Sequence, residues 1–264
     1  MKTIVMSDLH GYLPDPKTFN KAEVMFICGD IAPLEIQRNT GKSIQWIYKD
    51  FLDWVNDLPV DKVFIIGGNH DFVLENFYND IYEKRRVDIG SNDKLTYIID
   101  PIVYKSKDGN EYTIKSMPYI ENCTGWAFST DYREIKKKCK EVFNDHFDIL
   151  LTHDAPDLKP FRNDWGGDVI KESIVEAMKE NNYPNYWFFG HIHDNPHTLS
   201  DIKYKTEMYN ASIRNDNYEI VYEPLYIDIQ KKPIAEDNGL VISEYKDYNK
   251  DDYVCGDYIT NNET

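Results

Sequence analysis

The sequence predicts an α/β protein with a mixed system of β-sheets. Short apolar runs typical of buried strands alternate with helical patterns along most of the chain. Towards residue 229 the pattern becomes richer in strands than in helices. Strand–helix alternation followed by a strand-rich region is typical of this class. The 264 residues, 41% of them apolar, are enough to bury a sizeable core.

The first part of the chain contains three expected strands and one expected helix. Each strand is a short apolar run bounded by polar residues. The helix is expected at residues 43–55, where apolar side chains recur along one helix face. A Lys-Asp-Gly-Asn segment at 107–110 separates apolar runs at 98–104 and 112–115, which predicts a hairpin. The three strands are residues 4–6, 24–28 and 63–66.

The second part of the chain repeats the alternation and then changes to strands. Helices are expected at residues 131–144 and 169–179. Strands are expected at residues 147–151, 186–189, 207–211, 219–222 and 225–229. We therefore expect one domain over residues 1–229. Residues 230–264 are expected to form an acidic, tyrosine-rich C-terminal appendage.

The charge and the absence of targeting signals limit the classes of partner. The chain has 46 acidic and 30 basic residues and a net charge of −16. Proteins that bind nucleic acid through its backbone present basic patches, so a long nucleic acid is disfavoured and a small substrate is expected. No apolar run reaches the roughly 18 residues of a membrane helix. The N-terminal segment lacks a signal-peptide pattern, so we expect no membrane partner and a cytoplasmic location.

Four cysteines do not suggest a zinc ribbon or a disulfide framework. Cys28, Cys123, Cys139 and Cys255 form no Cys-x-x-Cys pair. All four are expected to be reduced thiols.

Five of the expected strands end in residues that can bind a metal. The segments that follow them are residues 7–11, 29–30, 67–71, 152–154 and 190–193. In open α/β sheets, binding sites form outside the carboxyl ends of the strands, so these segments should converge. The candidate metal ligands are Asp8, His10, Asp30, Asn69, His153, His191 and His193.

The chemistry of these seven donors favours a hydrolytic metal centre. No thiolate is among them, which argues against a structural zinc site. Seven donors are too many for one ion, but they fit two ions when one carboxylate is shared. Taken singly, Asp8 could be a turn residue and Asp30 a helix N-cap. Those structural readings do not explain five strand ends that carry the same types of side chain.

The ordered segments resemble the calcineurin-like metallophosphoesterase superfamily. Asp-x-His, Gly-Asp, Gly-Asn-His-Asp, a later His and Gly-His-x-His occur in that order between residues 8 and 193. The resemblance implies a four-layer α/β/β/α sandwich with two mixed β-sheets and two divalent metal ions. It assigns Asp8, His10 and His193 to one ion and Asn69, His153 and His191 to the other, with Asp30 bridging them.

The resemblance also implies catalytic roles beside the metals. His70 is expected near the phosphate, where it stabilises charge or protonates the leaving oxygen. Independently of the resemblance, the position of Asp71 next to His70 predicts that Asp71 orients the His70 ring. With two divalent ions, the carboxylates of Asp8 and Asp30 and a bridging hydroxide, the centre keeps a charge of about +1 and can hold a phosphate anion.

The function that this resemblance implies is a two-metal phosphoesterase. We expect a phosphodiesterase that hydrolyses a small or nucleotide-like ester through a metal-bridging hydroxide. Mn²⁺ is the first choice of metal, with Fe, Zn, Ni or Mg as alternatives. The alternative functions are a phosphomonoesterase, a Ser/Thr protein phosphatase on the same site, or a catalytically silent scaffold with this fold.

Two further segments bear on the subfamily. Ser/Thr protein phosphatases of the superfamily extend Gly-Asp into Gly-Asp-x-Val-Asp-Arg-Gly, whereas residues 29–34 here read Gly-Asp-Ile-Ala-Pro-Leu. The arginine is missing, which disfavours that alternative. Met-Pro-Tyr at 117–119 and Gly-Trp-Ala-Phe at 125–128 are similar to a segment of the brain metallophosphoesterase-domain proteins and their bacterial relatives. Those proteins are associated with phosphodiester hydrolysis.

Overall fold

The computed structural model describes residues 1–82, 93–121, 123–157, 167–193 and 206–232. Within these ranges it contains two five-stranded sheets and a small two-stranded sheet. The strands are β1 (Lys2–Met6), β2 (Val24–Cys28), β3 (Lys62–Ile66), β4 (Leu95–Tyr97), β5 (Ile102–Lys105), β6 (Glu111–Met117), β7 (Ile120–Glu121), β8 (Ser129–Thr130), β9 (Phe147–Thr152), β10 (Pro184–Phe189), β11 (Glu207–Asn210) and β12 (Leu225–Asp228). The helices are α1 (Thr40–Trp46), α2 (Leu52–Asp57), α3 (Phe72–Tyr82), α4 (Tyr132–Val142) and α5 (Asp168–Lys179).

Both large sheets are mixed. The first has the order β12-β1-β2-β3-β4, and only β12 runs antiparallel to its neighbour. The second has the order β11-β10-β9-β6-β5, and only the β5–β6 pair is antiparallel. The expected hairpin joins β5 to β6, and Gly109 takes the left-handed conformation there with φ of +87°. Parallel strands dominate because helices connect them across the sheet faces.

The side chains of the strands divide the interior into three apolar layers. Along β2, Met25 and Ile27 face helices α1–α3, whereas Phe26 and Cys28 face the second sheet. On the other sheet, Leu150 of β9 packs towards α4 and α5. The protein therefore has the expected four layers, helices–sheet–sheet–helices. Helical layers cover both sheets, so nearly every residue of β2 and β9 is buried.

The helices begin and end for identifiable reasons. Asp131 caps α4, and its carboxylate accepts hydrogen bonds from the backbone N–H groups of Arg133 and Glu134. Helix α1 continues through one π-helical segment, Ile47–Phe51, into α2, so the expected helix spans residues 40–57.

None of the helices in the described ranges is long and apolar enough to cross a membrane.

The structure differs from the expected elements in several places. Helix α3 and the short strands β7 and β8 are not predicted by the sequence. The apolar run at 98–104 contributes only β5, and the preceding strand β4 ends at Tyr97. The expected strand at 219–222 is wrong, because after a turn at 216–218 this segment forms only an isolated antiparallel bridge between Ile220 and Arg214, and Ile220 and Val221 are exposed. Residues 233–264, most of the expected appendage, lie outside the described ranges.

Candidate metal centre

The candidate ligands lie on loops that leave the carboxyl ends of β1, β2, β3, β9 and β10. The first three strands belong to one large sheet and the last two to the other. The loops after β1 and β2 are joined by backbone hydrogen bonds, from Asp8 N–H to Gly29 O at 3.1 Å and from His10 N–H to Asp30 O at 2.8 Å. The loops of the two sheets meet at this edge, where the backbone N–H of His191, after β10, donates to Oδ1 of Asp8, after β1.

Four of the candidate ligands have left-handed backbone conformations. The φ angles are 60° for Asp8, 42° for His10, 54° for Asp30 and 66° for His191. Residues other than glycine rarely adopt this region, and each instance costs on the order of 1–3 kcal/mol. The surrounding hydrogen bonds hold these residues in place against that cost. Backbone strain is therefore concentrated at the candidate centre.

Asp30 lies in the middle of the cluster. Its Oδ1 accepts a hydrogen bond from the backbone N–H of His70 at 2.8 Å. Its Oδ2 lies 3.3 Å from Nε2 of His153, 3.7 Å from Nε2 of His10 and 3.9 Å from Nε2 of His70. One carboxylate oxygen therefore faces three imidazole rings, the placement that a shared ligand requires.

Asp8, His10 and His193 form a compact group on one side of Asp30. One possible ligand atom from each lies within 4.8 Å of those of the other two. Nε2 of His193 is 3.5 Å from Oδ1 of Asp8, which also accepts the backbone N–H of His191 at 3.2 Å. The resemblance assigns the same three residues to one ion.

Asn69, His153 and His191 meet on the other side. Oδ1 of Asn69 lies 2.8 Å from Nε2 of His153 and 3.1 Å from Nδ1 of His191. The structure therefore brings all seven candidate ligands into one cluster around Asp30.

Backbone carbonyl groups orient two of the histidines. Nδ1 of His153 lies 2.9 Å from the carbonyl oxygen of Cys28, and Nδ1 of His193 lies 3.1 Å from that of Asn215. A carbonyl oxygen can only accept, so each Nδ1 carries the proton and each Nε2 faces the cluster. Both rings are thus oriented with Nε2, the nitrogen that would bind a metal once it has lost its proton, towards the cluster.

His70 lies beside the cluster, but Asp71 does not orient its ring. The Asp71 carboxylate is buried and accepts hydrogen bonds from the backbone N–H groups of Ile31, Ala32 and Gly68. It stabilises the loop after β2 instead. The ring partner of His70 is Gln37, whose Oε1 lies 2.6 Å from Nδ1.

Burial and neighbouring charges set the protonation of the cluster. Burial lowers the pKa of His10 and of His191 to about 3, so both imidazoles are neutral. Burial also opposes the charged form of His153, but the Asp30 carboxylate outweighs it and raises the pKa of His153 to about 10. Although burial alone would raise it, the pKa of Asp8 is held below its usual range by His193.

The cluster fits a divalent metal on two observations. Oδ2 of Asp8 and both ring nitrogens of His10 are buried and have no hydrogen-bond partner among the described residues. Buried polar atoms without partners are costly, so such a set marks the place of a missing ligand. The donors are carboxylate, amide and imidazole groups without thiolate, which suits ions from Mg²⁺ and Mn²⁺ to Zn²⁺.

Sequence reasoning missed the residues that support the donors. Arg214 is buried and its Nε donates to the carbonyl oxygen of Asp8 at 2.8 Å, and its Nη2 to that of Leu9 at 2.5 Å. Its Nη1 donates to the carbonyl oxygen of Tyr218. The Tyr218 ring packs edge-to-face against the rings of His10 and His193, with centroids 5.1 Å apart in both pairs. Gln37 and Arg214 contact distant parts of the chain, and no spacing or local pattern in the sequence indicates such contacts.

Comparisons with known proteins find a matching family model and several relatives. The family model for the calcineurin-like phosphoesterase domain matches residues 1–195. Metallophosphoesterase domain-containing protein 1 of Homo sapiens is 23% identical over 255 residues, which cover 86% of this chain and 70% of the human protein. A UPF0046 protein of Caenorhabditis elegans is 25% identical over 244 residues, and the alignment covers 89% of this chain and 77% of the nematode protein.

A solved crystal structure shares the fold. Its TM-score is 0.53 at 11% sequence identity, and the alignment covers 87% of this chain and 99% of the other.

Proposed function

The chain belongs to the calcineurin-like phosphoesterase family and is a divalent-metal-dependent phosphoesterase. We propose that its substrates are small phosphodiesters. The observation that carries the proposal is the placement of Asp30. Its Oδ2 faces three histidines, and the remaining candidate ligands lie on both sides of it.

The described residues divide the work of binding and catalysis. Asp8, His10 and His193 would hold one divalent ion, Asn69, His153 and His191 would hold the other, and Asp30 would bind both. When bound, the ions would polarise the phosphate ester and lower the pKa of a coordinated water, so that hydroxide would be available near neutral pH. His70 presents Nε2 towards the same cluster and is suited to donate a hydrogen bond or a proton to the leaving oxygen.

The charges around the cluster support a diester in preference to a monoester. A phosphodiester carries one negative charge, whereas a monoester carries nearly two at neutral pH. In the described part of the chain, the guanidinium that reaches the ligand loops is that of Arg214, and it is bound to backbone carbonyl groups. Arg38 donates to the carbonyl oxygen of Gly125. Within the described ranges, these two guanidinium groups are therefore bound to backbone carbonyl groups and not directed at a substrate dianion.

Metal-dependent turnover of matched esters tests this proposal. The protein is stripped with a chelator, Mn²⁺ is titrated back, and hydrolysis of bis(p-nitrophenyl) phosphate is compared with that of p-nitrophenyl phosphate. We expect kcat/KM to favour the diester by at least about 10-fold. A preference for the monoester would contradict the diester assignment, and a metal-loaded protein without activity on either would contradict the substrate class. Parallel titrations with Zn²⁺, Ni²⁺, Fe²⁺ and Mg²⁺ test the choice of Mn²⁺.

A pair of aspartate variants tests the role of Asp30. Asp30→Asn should lower kcat by at least about 100-fold and reduce the metal content, because the shared carboxylate is lost. Asp61→Asn is the matched control, since that exposed carboxylate pairs with Lys107 far from the cluster. Full metal content and activity in Asp30→Asn would overturn the assignment.

The size of the substrate is a separate part of the proposal. The net charge of −16 opposes association with a long polyanion, so we propose a small or nucleotide-like ester. Cleavage of a labelled oligonucleotide at physiological salt, at a rate comparable to that of the small diester, would contradict this. The cytoplasmic location stays a prediction from the sequence.

A further inference from the structure

The ring of His70 is held by a neutral amide. Oε1 of Gln37 lies 2.6 Å from Nδ1 of His70, and an amide oxygen can only accept a hydrogen bond. The contact therefore places a proton on Nδ1. Nε2 is the ring atom that remains, and it points towards Asp30 at 3.9 Å from Oδ2. The side chain of Gln37 thus determines which nitrogen of His70 faces the candidate metal centre.

Packing fixes the plane of the same ring. The centroid of the Trp126 ring lies 4.5 Å from that of His70, and the edge of the His10 ring approaches at 4.7 Å. Arg38 holds Trp126 in turn, with its guanidinium 5.1 Å from the Trp126 ring centroid and a hydrogen bond to the carbonyl oxygen of Gly125 at 3.1 Å. Consecutive residues, Gln37 and Arg38, therefore hold His70 from two directions.

The loop that carries Gln37 is itself ordered by hydrogen bonds. The backbone N–H of Ile36 donates to Pro33 O at 3.1 Å, and that of Asn39 donates to Ile36 O at 2.7 Å. Asn39 caps helix α1 through a hydrogen bond from Lys42 N–H at 3.0 Å. Gln37 thus extends from a defined turn at the start of a helix, and its position is set before any substrate binds.

We propose that Gln37 is a positioning residue that holds His70 with Nε2 directed at the leaving oxygen of the ester. The proposal rests on the proposed function. As the bond from phosphorus to the water-derived oxygen forms and the bond to the leaving oxygen breaks, a His70 ring that carries a proton on both nitrogens passes the Nε2 proton to the leaving oxygen. The alcohol departs neutral, and the ring regains a proton from solvent.

Leaving-group dependence provides the test. Two methyl phosphodiesters are compared, one with p-nitrophenolate as the leaving group and one with an alkoxide that needs a proton to depart. Gln37→Leu should lower kcat about 10- to 100-fold for the alkyl ester and less than about 5-fold for the p-nitrophenyl ester, because only the alkoxide depends on the acid. KM should change little for either. Gln37→Glu keeps an oxygen acceptor for Nδ1–H and should retain most of the activity on both.

A double-mutant cycle shows whether Gln37 acts through His70. In a His70→Ala background, Gln37→Leu should cause no further loss of kcat, since the ring it positions is gone. Metal content and thermal midpoint are measured for each variant. Glu35→Gln, an exposed change in the same loop, serves as the control and should keep full activity.

Distinct outcomes overturn the inference and the proposed function. Equal losses on both esters, or a further loss in the His70→Ala background, would mean that Gln37 only supports the loop. If Gln37→Leu does not fold, Gln37→Asn decides, because its shorter amide should reproduce the loss that is selective for the alkyl ester. Equal losses in that variant would again overturn the inference. A metal-loaded wild-type protein that fails on both diesters would instead overturn the proposed function.

Discussion

Asp8 and His193 meet across the two sheets, with Nε2 of His193 3.5 Å from Oδ1 of Asp8. Asp8 follows β1 in one sheet and His193 follows β10 in the other. His193 is also held by the carbonyl oxygen of Asn215. The position of each donor therefore depends on the loop between β11 and β12, which has no candidate ligand of its own.

Arg214 should support both stability and metal affinity. Arg214→Met removes the donors to the carbonyl groups of Asp8, Leu9 and Tyr218, and leaving the buried carbonyl group of Asp8 without this partner costs about 1–3 kcal/mol. We expect a lower free energy of unfolding in urea and a Mn²⁺ affinity reduced about 10-fold. Arg133→Met on the exposed face of α4 is the control. Equal stability of the two variants would rule out this role.

Gly190 should not tolerate a side chain. A Cβ there would collide with Oγ of Ser7 and would lie 2.6 Å from Oδ2 of Asp8, so Gly190→Ala must displace a candidate ligand. We expect a loss of at least about 2 kcal/mol in stability together with weaker Mn²⁺ binding. In helix α1, Gly41→Ala meets only Asn39 Oδ1 at 3.7 Å and should stabilise by about 0.5–1 kcal/mol. Thermal and urea unfolding of both variants give the comparison.

Metal binding should release a proton from His153. In protein stripped of metal, Asp30 keeps His153 protonated, with its pKa raised to about 10. A ligating Nε2 must be free of its proton, so binding near neutral pH should release about one proton from this residue and affinity should rise with pH. Calorimetry in buffers of different ionisation enthalpy measures the number. The control variant His146→Gln, whose change lies away from the cluster, should release the same number of protons as wild type. If wild-type protein released no protons on binding Mn²⁺, the Asp30–His153 interaction would be contradicted.

Glu121 should make stability depend on pH. Burial is the main cause that raises its pKa from 4.5 to about 7, although its Oε1 accepts the backbone N–H of Val169. The folded state therefore binds this proton more tightly than the unfolded state. This contribution to stability is fully present below about pH 4.5 and is lost as the pH rises through 7.

A glutamine variant isolates that contribution. Glu121→Gln keeps an oxygen acceptor without the charge, so it should match wild type near about pH 4.5 and exceed it by about 1–3 kcal/mol near about pH 8. Urea unfolding at both pH values measures the difference. The exposed Glu141→Gln should change stability by less than about 0.5 kcal/mol at either pH. A constant difference between Glu121→Gln and wild type would contradict the assignment.

The buried strands and their polar ends could be predicted because both signals are local. Runs such as Val24–Cys28 are apolar throughout, since helices and the second sheet cover both of their faces. The residues that follow them needed only the rule that parallel strands place their carboxyl ends together. Helix α3 was missed because it begins directly after the polar segment that contains His70, without a separate start signal. Its N-terminal turn is closed instead by the carbonyl oxygen of Asp71.

The remaining differences arise from contacts between distant parts of the chain. Residues 219–222 have the composition of a strand, but Tyr218 adopts φ of 61° and the chain reverses from Asn215 to Glu219. That reversal presents the carbonyl oxygen of Asn215 to His193. Gln37 likewise has no local pattern that would link it to His70. Partners of this kind are set by the packing of loops and have no periodicity in the sequence.

The left-handed backbone at Asp8, His10, Asp30 and His191 bears on how this protein can be engineered. Glycine, and to a lesser extent asparagine, relieves such a conformation, whereas the residues that suit a metal do not. Selection for heat resistance alone would therefore favour glycine at these four positions. Such substitutions would relieve the backbone strain but would also remove the metal-binding side chains and the catalytic activity. A thermostable version that still works needs its gains from surfaces remote from this edge, such as the exposed first turn of α1.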